Sequence, residues 1–113
     1  MRVLLFQDRF AGKVRDGSKR QTIRKTARCK PGDALSLRRW KGKPYRSKQE
    51  VLRTTTCKSV ESVAVFDFDV HVCCKPFPAQ HLAVMDGFRD WPEMRDWFAR
   101  VHGLPLSGWL IKW

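Results

Sequence analysis

The chain has 113 residues, 42% of them hydrophobic and 30% charged, which suits one folded domain and excludes both wholesale disorder and a two-domain body. No apolar run approaches the length of a membrane span or a signal-peptide core, so the default expectation is a cytoplasmic protein with no membrane association. The formal charge of +12 is lopsided: residues 1–60 hold 18 basic against 4 acidic side chains, and residues 61–113 hold 5 against 7.

Arg2 to Phe6 reads as a first strand built on the apolar run Val3-Leu4-Leu5-Phe6. Phe10 and Val14, four apart, predict one face of a short helix from about Arg9 to Asp16, with Gly17 as its left-handed stop. Lys19-Arg20-Gln21-Thr22-Ile23-Arg24 then reads as extended chain. Strict alternation sends Lys19, Gln21 and Ile23 to one face and Arg20, Thr22 and Arg24 to the other, which argues against a direct Lys19–Thr22 pair unless the backbone twists there. Donors on both faces suit an anionic or carbonyl-bearing ligand; the alternative is a solvated edge strand whose charges discourage aggregation.

After a polar connector, Lys25 to Lys30, the triplet Pro31-Gly32-Asp33 marks a turn, Ala34 to Trp40 a strand, and Lys41-Gly42-Lys43-Pro44 a loop. Val51 to Val65 is rich in β-branched residues and long for one flat strand, which predicts a bend or bulge near Lys58-Ser59. Phe66 to Val72 alternates, predicting a half-buried strand with Phe66, Phe68, Val70 and Val72 inward and His71 toward solvent. Pro76 and Pro78 precede a short helix, Ala79 to Met85. Asp90 and Glu93 form a capping box around Pro92, opening a helix whose stripe is Trp91, Met94, Trp97, Phe98 and Val101 and whose end is Gly103. That stripe reads as core rather than as a base-stacking platform. Leu106 to Trp113 is a closing strand. Short strands joined by turns, with two or three short helices, predict a mainly β or α+β fold: one domain over residues 1–113, built as a small closed or nearly closed barrel with helices covering it.

The four cysteines lack Cys-x-x-Cys spacing and the three histidines complete no zinc pattern, so reduced thiols, no metal site and no cofactor are expected. The early cations are the candidate for a partner, since neutralising phosphates releases counterions and gives salt-dependent affinity. A second basic cluster, Arg38, Arg39, Lys41, Lys43, Arg46 and Lys48, surrounds Trp40 and Tyr45. Cations interleaved with aromatics suit single-stranded nucleic acid, where bases stack and phosphates pair; the alternative is a mobile hairpin with its charges in water.

Gly17-x-Lys19-x-x-Thr22-Ile23-Arg24, then Pro31-Gly32-Asp33 and a strand, then Asp86-Gly87-Phe88, the tryptophan-rich helix, Gly103-Leu104-Pro105 and a closing strand with Trp109 and Trp113, resembles the ASCH domain, a relative of the RNA-binding PUA barrel. The resemblance covers nearly the whole chain. It implies a PUA-like β-barrel with a cleft beside the basic strand, and RNA binding. Together with the basic and aromatic clusters read above, this makes Lys19, Arg20, Gln21, Arg24, Arg38, Arg39, Trp40, Lys43, Tyr45 and Arg46 the expected contacts with RNA or single-stranded nucleic acid. One enzymatic branch of the family hydrolyses the amide of N4-acetylcytidine with a Lys, a Thr and a Glu. Carried over, the first two fall on Lys19 and Thr22, and the third position departs, its nearest match being the shorter Asp86. Another branch is ribonucleolytic, for which Lys19, Arg20 and Arg24 would stabilise charge on a phosphate.

Overall fold

In the computed structural model, which describes residues 1–113, the first apolar run becomes β1 (Arg2–Leu5), followed by α1 (Asp8–Asp16) and β2 (Gln21–Arg24). Gly17 ends α1 at φ 86°, its N–H returning to the Val14 carbonyl, as the left-handed stop requires. The chain continues through β3 (Ala34–Trp40), β4 (Gln49–Thr56), β5 (Ser59–Val65), β6 (Val70–Val72) and β7 (Lys75–Phe77). It ends with α2 (Ala79–Met85), α3 (Trp91–Val101) and β8 (Leu106–Lys112).

The strands make two sheets, giving a mainly β, α+β fold. One has three strands in the order β1-β3-β4, with β1 parallel to β3 and β3 antiparallel to β4; the other has five, in the order β2-β8-β5-β6-β7, all antiparallel. No ladder joins the two sheets, so the strands do not close into the expected barrel. The bend or bulge expected near Lys58-Ser59 is the point where the chain passes from one sheet to the other. The Cys57 N–H bonds to the Asp33 carbonyl on the first sheet, and the next N–H, that of Lys58, bonds to the Lys112 carbonyl on the second. The chain therefore changes sheets there instead of bulging within one.

The sheets and helices share one apolar cluster, to which the strands give Leu35, Leu37, Val65, Leu110 and Ile111 and the helices Phe10, Val14, Leu82, Met94 and Phe98. No helix is long and apolar enough to cross a membrane. The Phe66–Val72 segment differs from its alternating reading: the Phe66 N–H bonds to the Asp69 carbonyl in a tight turn, Phe68 is 74% exposed, and only Val70–Val72 is strand. Cys73 and Cys74 then form the two-residue turn between β6 and β7, both in the left-handed region at φ 53° and 63°. That is the backbone of a hairpin turn whose twist matches its strands, built here without glycine. At the start of α3, Asp90 accepts from the Glu93 N–H at 2.9 Å, as predicted. The return bond of the capping box is displaced by one residue, since Glu93 accepts from Arg89 N–H at 3.1 Å.

Candidate functional site

β2 begins at Gln21, so Lys19 lies in the turn before it, its N–H bonded to the Lys13 carbonyl at 3.0 Å. Strand alternation therefore does not extend back to Lys19. Lys19 and Thr22, which the extended reading sends to opposite faces, line the same cleft.

That cleft encloses about 360 Å³, within the range of small-molecule sites. Lys19, Thr22, Arg24 and Asp86 are among its polar groups, with Gln7, Lys25 and His102, and Phe6, Phe10, Trp97 and Val101 form much of its apolar wall. Asp86 follows the last turn of α2, and its N–H closes onto the Leu82 carbonyl. Lys19 is 2% exposed and Asp86 3%. The Lys19 ammonium lies 3.3 Å from Asp86 Oδ1, donates to the Asp86 backbone carbonyl, and sits 4.8 Å from the centre of the Phe10 ring. Gln21 Nε2 faces the same carboxylate at 3.5 Å.

Burial sets the protonation chemistry of this pair. Loss of hydration holds the Lys19 ammonium below its ordinary 10.5, with the Asp86 carboxylate opposing the shift. The same loss holds the Asp86 carboxyl above 3.8, with Lys19 opposing. Burial thus favours the neutral form of each group, and the ion pair between them opposes it.

Thr22 does not bond to Lys19. Its hydroxyl accepts from Arg24 Nε at 3.2 Å, and the same guanidinium donates to the Leu5 carbonyl at 2.7 Å and lies 4.9 Å from the centre of the Phe6 ring. Arg24 is thereby a brace between the threonine hydroxyl and the β1 backbone. Arg20 leads away from the cleft, onto a surface shared with Lys58 and Lys112. Lys19, Arg20 and Arg24 therefore do not surround one phosphate-sized space.

Four features of the site are given no role there by the motif reading. Gly87, at φ 97°, brings the chain so close that a Cβ there would stand 3.2 Å from both Lys19 Cδ and Phe10 Cδ1. The Gly87 carbonyl accepts from Lys13 Nζ at 2.8 Å, tying α1 to the turn after α2. Trp97, expected only as core, packs edge-on to Phe10 at 5.7 Å and also forms cleft wall. His102 stands at the cleft, its imidazole held below 6.5 by burial and then by the charges of Lys25 and Arg24. The Asp86-Gly87-Phe88 triplet was the one visible signal for the first two; nothing in sequence spacing ties Trp97 or His102 to Lys19.

The second basic cluster divides. Arg38 is occupied by Ser36 Oγ at 2.8 Å and Gln49 Oε1 at 3.0 Å, and Arg39 pairs with Asp8 and Glu50, each at 3.4 Å. These two arginines brace the β3–β4 hairpin and its contact with α1. Lys41, Lys43, Arg46 and Lys48 are exposed and take part in no ion pair. Trp40 and Tyr45 lie 5.2 Å apart, ring centre to ring centre.

Scans of protein-family models, of curated proteins and of solved structures each find no match to this chain.

Proposed function

We propose that this chain is an ASCH-like, PUA-related domain that seats a base of RNA, or of another single-stranded nucleic acid, in the cleft beside β2. The observation that carries the reading is the composition of that cleft: aromatic walls from Phe6, Phe10 and Trp97 around a polar floor of Lys19, Thr22 and Asp86. Flat apolar walls suit a base, and a few fixed polar groups suit its hydrogen-bonding edge. The excess of cations in residues 1–60 supports a phosphate-bearing ligand. Lys19 belongs to the floor, and phosphates fall instead to exposed cations such as Lys25 and Lys43. Fluorescence polarisation of a labelled single-stranded oligonucleotide, titrated from low to moderate salt, tests this. Binding should weaken steeply with salt and should fall at least about tenfold in Thr22→Val, the loss of one well-placed polar contact. An affinity indifferent to salt overturns the reading.

One observation favours a second reading, hydrolysis of an amide such as that of N4-acetylcytidine. A lysine with depressed basicity, a buried carboxyl and a braced threonine hydroxyl line the same cleft. In this chemistry Thr22 Oγ attacks the acyl carbon and its proton passes to neutral Lys19. The C–N bond then breaks as Lys19 returns that proton to the departing amine, and water cleaves the acyl-threonine ester. Purified protein incubated with N4-acetylcytidine should release cytidine, and Lys19→Met and Thr22→Val should each lose at least about a hundredfold in kcat/KM. No turnover by the wild-type protein removes this reading and leaves the binding reading standing.

A further inference from the structure

The cleft adjoins three other concavities, one reached through Trp97 and lined by charged side chains, and two that carry aromatic rings of their own. The first of these two, of about 390 Å³, lies against the β3–β4 hairpin, is floored by Trp40 and Tyr45, and shares Leu5, Phe6 and Gln7 with the cleft. The other, of about 350 Å³, lies on the β5–β8 face beside Trp109 and His71, and meets the cleft at Lys25. The two have no lining residue in common. Their order with the cleft is therefore hairpin, cleft, sheet face, with aromatic surface in each.

The outer aromatic rings are accessible. Tyr45 is 87% exposed and Trp109 40%. Tyr45 also sits at φ 64°, a left-handed conformation that a bulky residue rarely adopts, at the point where its ring meets Trp40. Around it stand Lys41, Lys43, Arg46 and Lys48, exposed and without carboxylate partners. The one acidic group in the hairpin concavity, Asp8, faces Arg39 at 3.4 Å. At the other end Lys25 stands between the cleft and Trp109. Aromatic surface runs through these three concavities, with exposed cations in the hairpin at one end and Lys25 at the junction with the other, and rings combined with cations hold a nucleic-acid strand by its bases and its backbone together.

We infer that the ligand is a single-stranded polynucleotide of at least three nucleotides, one base in the cleft and its two neighbours stacked on Trp40–Tyr45 and on Trp109. This rests on the cleft being a base-binding site and adds to it that the cleft reads a base within a strand, not a free nucleoside.

The experiment is a length series. Cytidine 5′-monophosphate and cytidylate oligomers of three and five nucleotides are titrated into wild-type protein, Trp40→Ala, Trp109→Ala and Thr22→Val, with tryptophan fluorescence and polarisation as readouts and thermal melting as the control for folding. Affinity should rise at least about tenfold from one nucleotide to three, and each tryptophan substitution should weaken the trimer by about 5- to 150-fold. Equal affinity for the monophosphate and the pentamer, with both weakened by Thr22→Val, overturns the three-base path and leaves the cleft reading intact. Equal binding of a duplex and the single strand also overturns it, because paired bases cannot stack on the rings. No binding at any length in low salt overturns the cleft reading itself.

Discussion

Lys19 and Asp86 are 67 positions apart in sequence, and each is the main compensation for burying the other. Asp86→Asn keeps the shape and removes the charge, leaving a buried ammonium with neutral partners only, the amide and backbone oxygens of that residue and the Phe10 ring. Loss of one partner of a buried pair costs about 3 kcal/mol or more, which chemical denaturation should report as a lower midpoint at neutral pH. Lys19 should answer in its own titration. Its ¹⁵Nζ resonance should titrate below 10.5 in the wild-type protein and lower still in Asp86→Asn, because the carboxylate opposes the downward shift. An unfolded chain binds more protons than the folded one between the depressed Lys19 value and 10.5, so this lysine makes stability rise with pH across that window. Asp86 works the opposite way at the acid end. The folded chain holds its proton more tightly just above 3.8, and that contribution is lost as pH rises through the elevated value. Gly87 is the third residue on which the pair depends. Gly87→Ala meets both a positive φ of 97° and side chains 3.2 Å away, so it should lower Tm by about 5 °C or more, with Lys19 displaced.

At the level of elements, β2 is an edge strand held by β8 alone, through the register Gln21–Lys112, Thr22–Ile111, Ile23–Leu110 and Arg24–Trp109. Gly108 lets the two strands approach, since a Cβ there would lie 2.4 Å from the Arg24 carbonyl. Gly108→Ala should therefore shift β2 and loosen the Arg24–Thr22 contact, seen as amide chemical-shift changes across Thr22–Lys25 that exceed those on β1. Most elements were legible in the sequence because their signals are local: Gly17 after an apolar i,i+4 pair, Pro31-Gly32 before a β-run, Asp90 three residues ahead of Glu93. The misreadings arose where a local pattern ran across a boundary. Phe66 and Phe68 continue the alternation of Val70 and Val72 but lie in a turn, and Lys19 continues that of Gln21 and Ile23 but precedes the strand. The same limit applies to the site. Thr22 and Lys19 stood out as a motif, whereas the Lys19–Asp86 bond, the Arg24–Thr22 brace and the place of Trp97 in the wall depend on which elements meet.

For the molecule as a whole, the uneven charge is partly internal structure. Arg38 and Arg39 are committed to the β3–β4 hairpin and to α1, and Arg24 to β1, so the surface available to a polyanion is carried by fewer cations than the count of +12 suggests. Two kinds of arginine and lysine should then separate by measurement. Lys43→Ala and Arg46→Ala should each reduce the salt slope of single-strand binding by about 0.7, with thermal stability unchanged. Arg38→Ala should lower the melting temperature while leaving that slope alone. A uniform effect of all three on the slope would mean that the hairpin arginines leave their carboxylate and amide partners when ligand arrives.

The pairing of Thr22 with Ile111 also has a bearing on biosynthesis. Until the ribosome has released the residues of β8, Gln21–Arg24 is an unsatisfied edge, and its ligand pocket cannot exist even though Lys19 and Thr22 were made early. Nascent chains stalled before Leu106 should accordingly be sticky and incompetent for ligand, and competence should appear abruptly once that late strand zips against the early one.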